Sequence, residues 1–340
     1  MANITFSEAS GVNDSIYGKS QAPIRALIEK RGEMYESQSA LPYLFNMETS
    51  DRWAEKLTTL TAMDNFQPVG ENGAYPVTGM QEGFSKTIEH MVWRNSFSIS
   101  REMIADSKSL DLKKQPVAFT SAAYRTREEF GASLYGAGLQ GKTSFKVGKV
   151  TFDATCADGK ALFAVDHPSK VKGITQANMF SDMFTGMDAL AALECKMQDF
   201  RGDNGELLDV SPDTIVIPNT AQMKLITLAT VGSDKWAGEN MGSGIFNFTY
   251  GRWNIVVWNY LNKYVTGDNM PWILLDSRYN ETYNGAVWFD REKLDVRSVI
   301  DNTNDSNIWL GYARWGAGFN DWRYAAVGGI SGAPSAMGDA

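Results

Sequence analysis

Residues 64–83 constrain this chain more than any other stretch. Pro68, Gly70, Gly73, Pro76, Gly79 and Gly83 fall within it, a composition that punctuates turns and builds no core of its own. Strand-forming sequence flanks it on both sides. Residues 56–63 are rich in threonine, and residues 85–100 end with Phe97 and Ile99 alternating with Ser96, Ser98 and Ser100. That two-residue period marks a strand with one buried face. The expectation is a long two-stranded arm over 53–100 with a glycine-rich tip. A free two-stranded ribbon is only marginally stable in water, so the arm should lie on something else, and another subunit is the natural support. The pattern points to assembly rather than chemistry.

Downstream, residues 106–114 are charged, and Pro116 stands where a helix can begin. Phe119, Ala123, Phe130 and Leu134 then share one helical stripe, which predicts a helix of roughly twenty residues that breaks at Gly136, Gly138 and Gly141. Residues 145–152 read as a strand and 187–200 as a second amphipathic helix closed by the turn sequence 201–205. A β-branched run at 214–217 ends at Pro218, with a helix expected over 221–228. A β-rich tail follows, with strands at 253–260, 272–275, 286–289 and 294–300. Upstream, 26–35 reads as a short charged helix and 41–45 as an apolar docking patch. The chain shows no internal repeat and no low-complexity tract.

With 43% hydrophobic and 12% aromatic residues, the chain has the means to bury a core. Its net charge is −8 with two histidines, and no basic stripe of the kind that grips nucleic acid is visible. Acidic balance suits a container wall that must not stick to polyanionic cargo, and it suits many enzymes equally. Cys156 and Cys195 are the only cysteines, too few for a disulfide framework. The N-terminal residues lack the basic start and apolar stretch of a secretory signal, and the longest apolar runs fall far short of a membrane span. A soluble chain made in the cytoplasm is expected.

The sharpest enzymatic signal is Gly136-Ala137-Gly138-Leu139-Gln140-Gly141-Lys142-Thr143, a literal match to the phosphate-cradling P-loop. That loop works because backbone N–H groups at a helix N-terminus converge on phosphates. Here it follows a helix and precedes a strand, the wrong order. Residues 272–276 (WILLD) imitate the accompanying magnesium motif but read as a strand end. Asp166-His167-Pro168 reads more readily as a turn with a satisfied imidazole than as an acid–base pair. His90 lies in the expected arm, where catalytic geometry is hard to hold. Cys156, Cys195, His90 and His167 are too scattered for a zinc site. No Gly-x-Ser-x-Gly elbow occurs. Eight of the ten tryptophans fall between Trp236 and Trp322; a sugar platform competes there with β-core and interface anchors. No catalytic, cofactor-binding or metal-ligating residue is expected. A P-loop NTPase using residues 136–143 and a carbohydrate-binding tail or adhesin protein are the competing classes.

Several segments in order resemble the major capsid proteins of tailed bacteriophages, the Hong Kong-ninety-seven-type fold. SISREMIADS (98–107) and LFAVDHP (162–168) are similar to sequences in Mu-like head subunits. SPDTIVIPNTAQMKLITLAT (211–230) and FTYGRWNIVVWNYL (248–261) resemble the axial strand–helix element and the strand after it. The segment 291–330 resembles the closing stretch, and the likeness covers most of 53–330. It implies an α+β fold with an N-terminal arm (1–50), an extended hairpin loop (51–105) and a peripheral domain with a spine helix (106–200). An axial domain (201–285), return strands of the peripheral domain (286–320), and a last axial strand with a tail (321–340) complete it. By the same resemblance the chain is a structural protein, not an enzyme. It would build pentamers and hexamers of an icosahedral shell around packaged double-stranded DNA, without cofactors, sequence-specific DNA binding or membrane contact. Its partners would be itself, a separate scaffolding protein, a portal and candidate cement proteins, in a virion assembled in the host cytoplasm. Some members join subunits through a Lys–Asn isopeptide bond. Lys56 and Lys86 lie near the hairpin, but no matching Asn and acidic helper accompanies them, so that chemistry is not carried over.

Overall fold

Distant pieces of sequence meet in two four-stranded sheets among the described residues of the computed structural model. Those residues are 21–60, 66–71, 73–77, 82–100, 102, 109–170, 174–234, 246–247, 249–301, 303 and 306–337. The first sheet runs β1 (Asn46–Thr49), β12 (Ala286–Asp301), β13 (Ser306–Phe319), β4 (Met91–Ile99). β1 lies parallel to β12, and the other neighbours are antiparallel. One face carries Trp93, Phe97, Trp309 and Trp315, and α3 (Ser109–Leu139) packs against it through Phe119 and Phe130. Trp93 stacks on Trp315 at 4.3 Å, and Phe130 meets Trp315 edge-on at 4.9 Å. Helix α1 (Gln21–Gln38) seals one end with Ile24 and Ile28, and α2 (Leu41–Leu44) buries Leu41 and Leu44. Arg127 of α3 clasps Asp290 of β12 through two bonds of 2.8 and 2.9 Å and lies 4.9 Å over the Trp288 ring.

The second sheet runs β10 (Asn254–Trp258), β9 (Thr214–Pro218), β11 (Trp272–Leu275), β14 (Ala325–Gly328). The run TIVIP is buried at every position, as expected of a parallel-paired strand covered on both faces. Helix α4 (Met187–Gln198) buries Ala189, Leu190, Leu193 and Met197. Helix α5 (Ala221–Thr230) starts at Thr220, whose side chain accepts from the Met223 N–H. Asp276, the last residue of the WILLD stretch, is fully buried and caps α6 (Ser277–Tyr283) by accepting from the Tyr279 N–H at 2.9 Å. Its job is structural.

Several expectations need correction. Residues 85–100 are not one strand of the arm. The arm is β2 (Ala54–Leu60) with β3 (Glu82–Glu89), and at His90 the chain leaves it, so that β4 pairs with β13 instead. The long helix starts before Pro116, which lies inside α3. It does not break at Gly136 or Gly138 either. A Cβ on Gly136 would fall within 1.8 Å of the Tyr264 ring, and one on Gly138 within 3.0 Å of Leu162. These glycines permit close approach to neighbours. The stretch 145–152 is a hairpin, β5 (Ser144–Val147) and β6 (Val150–Asp153), turning at Gly148 with φ +60°. The strands expected at 286–289 and 294–300 are the two ends of β12, joined across register shifts between Asp290 and Asp295. Helix α1 is longer than the 26–35 expected, and the patch at 41–45 is docked, with Tyr135 Oη donating to the Leu44 carbonyl at 2.7 Å.

Candidate assembly surface

The arm is tied to its own subunit at the base and left bare at the tip. Ile88 and Leu57 pack on Val287 and Phe289 of β12. Lys86, almost buried, is ion-paired with Asp153 at the end of β6 and donates to Thr155 Oγ1 at 2.7 Å. Partial desolvation raises the Asp153 carboxyl, but the Lys86 and Thr155 bonds outweigh it and hold the group below the usual carboxylate range. Lys170 reaches across from the short hairpin of β7 (His167–Pro168) and β8 (Thr175–Gln176) to donate to the carbonyls of Glu82 and Gly83 at 2.6 and 2.8 Å. Beyond these anchors nothing covers the described tip residues. Phe66 is fully exposed, Tyr75 and Val77 are 92% and 97% exposed, and Val69 is half-exposed. Large apolar groups grouped in this way mark a surface awaiting a partner.

A second bare surface lies on the other sheet. Leu225 and Leu228 of α5 point away from β9, and β10 is an edge strand whose Ile255 and Val257 are exposed. An open edge and an apolar helix face both invite contact with another chain.

The chemical motifs resolve into structure. Residues 136–139 of the P-loop match are the last turn of α3. The Gly141 N–H donates to the Gly138 carbonyl (3.0 Å) and the Lys142 N–H to the Ala137 carbonyl (2.8 Å), with Gly141 at φ +62°. This is a helix C-terminal cap, and it aims the negative end of the helix dipole into the loop where a phosphate would need the positive end. His167 is fully buried, stacked on Trp322 at 4.3 Å, with Nδ1 against Asp158 Oδ2 (2.7 Å) and Nε2 against Asn178 Oδ1 (3.1 Å). Its acidic neighbour is Asp158, while Asp166 pairs with Lys160. Cys156 is buried and Cys195 exposed, and no metal-holding group of three His, Cys, Asp or Glu occurs among the described residues. Trp253, Trp258, Trp272, Trp288, Trp309, Trp315 and Trp322 are all buried, so they offer no sugar platform. Trp236 lies outside the described residues. Sequence reasoning missed the lysine anchors of the arm. No local signal announces a pairing such as Lys86 with Asp153. No described helix is long and apolar enough to cross a membrane.

A family model described as phage capsid protein matches residues 86–328, more than two-thirds of the chain. No curated protein matches. Among solved structures, one from Mycobacterium phage Patience superposes with a TM-score of 0.51 at 13% identity, covering 92% of this chain and 89% of that one. The capsid structure of cyanophage P-SCSP1u gives 0.51 at 11% identity, covering 84% and 86%. At such identities the likeness is one of fold, and it is the α+β fold of Hong Kong-ninety-seven-type capsids. Members of the matched family are structural proteins of the virion rather than enzymes. This chain belongs to the phage capsid protein family and is a capsid shell protein.

Proposed function

We propose that the chain forms pentamers and hexamers that tile an icosahedral shell around packaged double-stranded DNA, and that the arm is the clamp between subunits. One observation carries the reading: the arm is fastened at its base and presents Phe66, Tyr75 and Val77 to solvent at its tip. Burying one such side chain contributes about 1.5–3 kcal/mol, so a neighbour that covers the tip gains several times that. The glycine-rich composition of 64–83 allows the arm to fit slightly different neighbours in five-fold and six-fold settings. In this reading 201–285 with 321–340 forms the axial unit. Residues 106–200 with 286–320 form the peripheral one, following the N-terminal arm (1–50) and the extended loop (51–105). The outward leucines of α5 and the β10 edge make the head-to-tail contacts that a ring requires, in which one surface meets a different surface of the next copy. The acidic chain encloses DNA without reading its sequence. A separate scaffolding protein, a portal and cement proteins complete the assembly, in the host cytoplasm. In this reading no described residue has a catalytic, cofactor-binding or metal-binding part.

The test replaces residues 64–83 by an Asn-Gly turn. Circular dichroism and solubility of the subunit should stay close to those of the parent, because the described tip residues 66–71 and 73–77 of the removed segment are exposed. Shell formation, followed by light scattering and electron microscopy, should stop at small oligomers. Closed shells of normal size from this variant refute the clamp. An unfolded product instead assigns the arm to the subunit's own core.

A further inference from the structure

At His90 the chain changes partners. β3 pairs with β2, β4 pairs with β13, and His90 is the one residue between them. Its N–H donates to the Trp53 carbonyl at 3.2 Å, which closes the root of the arm. His90 is 6% exposed, and its ring meets Phe289 edge-on at 5.9 Å. On the β13 side, a Cβ on Gly316 would stand 2.5 Å from the Glu89 carbonyl oxygen and 3.4 Å from the His90 Cα, so the two backbones touch there.

The hydrogen bonds identify the tautomer. Ser50 Oγ donates to Glu55 Oε1 at 2.7 Å, which leaves it a lone pair for His90 Nε2 at 3.1 Å. Nε2 therefore carries the proton, and Nδ1 is a bare lone pair. Nδ1 is buried and has no hydrogen-bond partner among the described residues. Protonating it would place a second N–H where nothing accepts it, and a cation where water does not reach.

We propose that His90 is an acid-released latch: the neutral ring holds the root of the arm against the sheet, and the imidazolium frees it. The charges around the ring favour release. Arg314 of β13 and Arg291 of β12 both oppose a second cation, and Glu55 of β2 is the one neighbouring group that favours it. Glu55 is already engaged by Ser50 and, at 3.7 Å, by Arg52. Burial first, then Arg314 and Arg291, lower the His90 pKa from its ordinary value of 6.5. A lowered histidine pKa means that the open arm binds protons more tightly than the docked one. Docking is thus fully stabilised above about pH 6.5 and is lost as pH falls toward and through the docked-state value. The latch concerns how the arm holds to its own subunit, so it stands or falls separately from the clamp.

Amide hydrogen exchange on the purified subunit, corrected for the intrinsic pH dependence of exchange, tests this. Between pH 7.5 and 5.0, protection over 54–60 and 82–89 should fall by up to about tenfold for each pH unit between 6.5 and the docked-state pKa, and level off below it, while β9 and α3 keep theirs. His90→Gln keeps an N–H donor and cannot gain a charge, so its arm protection should be equal at both pH values. Unchanged wild-type protection, or an equal fall in His90→Gln, overturns the latch. If that variant does not fold, ring-carbon NMR of the wild type decides, since the chain has only two histidines. His90 should titrate below 6.5, together with loss of arm protection; a midpoint at or above 6.5 overturns it.

Discussion

Gly311→Ala isolates the contact between the long helix and the sheet it crosses. An ideal Cβ at Gly311 on β13 would stand 2.3 Å from Phe119 Cζ and 3.1 and 3.3 Å from the two ring Cε atoms. Ordinary carbon contacts lie near 3.5–4.0 Å, so the ring or the helix must retreat by more than an ångström. Phe119 is held by Phe97 at 5.0 Å and by Ile24, Ile28, Ile99, Val296 and Trp309. Inserting a methyl group into such packing costs about 1–3 kcal/mol. A cleft of about 230 Å³ bordered by Phe119, Ala122, Ala123 and Ala313 lies beside the ring. It offers somewhere for the ring to tip, which places the expected loss near 2 kcal/mol, below the top of that range. Urea unfolding of the unassembled subunit should show a lower midpoint with an unchanged slope. Phe119→Leu removes the ring end that the new methyl meets, so the double variant should lose less than the two single losses combined, by about 1–2 kcal/mol. A neutral Gly311→Ala, or strict additivity with Phe119→Leu, refutes the claim that this glycine sets the helix-to-sheet distance.

Two further outcomes follow from the same packing. Lys142→Ala should change stability by less than about 0.5 kcal/mol, and the parent should show no ATP-dependent rise in melting temperature; such a rise that vanishes in the variant would restore the nucleotide site. Arg127→Met strips the cation from Asp290, whose side chain is 11% exposed, and should destabilise by about 3–5 kcal/mol. Adding Asp290→Leu should recover part of that loss, and unfolding curves showing a deeper loss in the double variant would mean that the bond from Trp288 Nε1 to Asp290 Oδ1 (3.0 Å) outweighs the cost of the unpaired carboxylate.

Sequence showed most clearly the elements whose pattern is local. TIVIP is a β-branched run ending at proline, and β9 covers Thr214–Pro218. The stripe of α4 was equally readable, because period is a property of neighbours in sequence. What stayed hidden was every choice of distant partner. Residues 85–100 read as one strand, yet the strand divides at His90, where β3 on β2 gives way to β4 on β13. Gly136 and Gly138 looked like helix breakers because only Tyr264, Leu162 and Phe163 reveal them as contact surfaces. The tryptophans looked available for contact because a single sequence does not say what covers them. On the assembly surface, the turn-rich tip was legible and its anchors, Lys86 and Lys170, were not.

The order of strands in the sheets has a consequence during synthesis. β1, at Asn46–Thr49, pairs with β12 at Ala286–Asp301, and β11 pairs with β14 at Ala325–Gly328. Neither sheet can close until its late strands, β12 and β13 for one and β14 for the other, have left the ribosome. A nascent chain therefore carries the arm, with its apolar tip, long before it has the platform at the arm's root. Shell contacts made by such a chain would have no rigid body behind them, because β12 supplies both the partner of β1 and the seat of Ile88. Long sequence separation between partners is ordinarily a kinetic burden. In a protein that polymerises with itself, it also acts as a timer: the subunit acquires a body to assemble with only once the strands over 286–328 have been made.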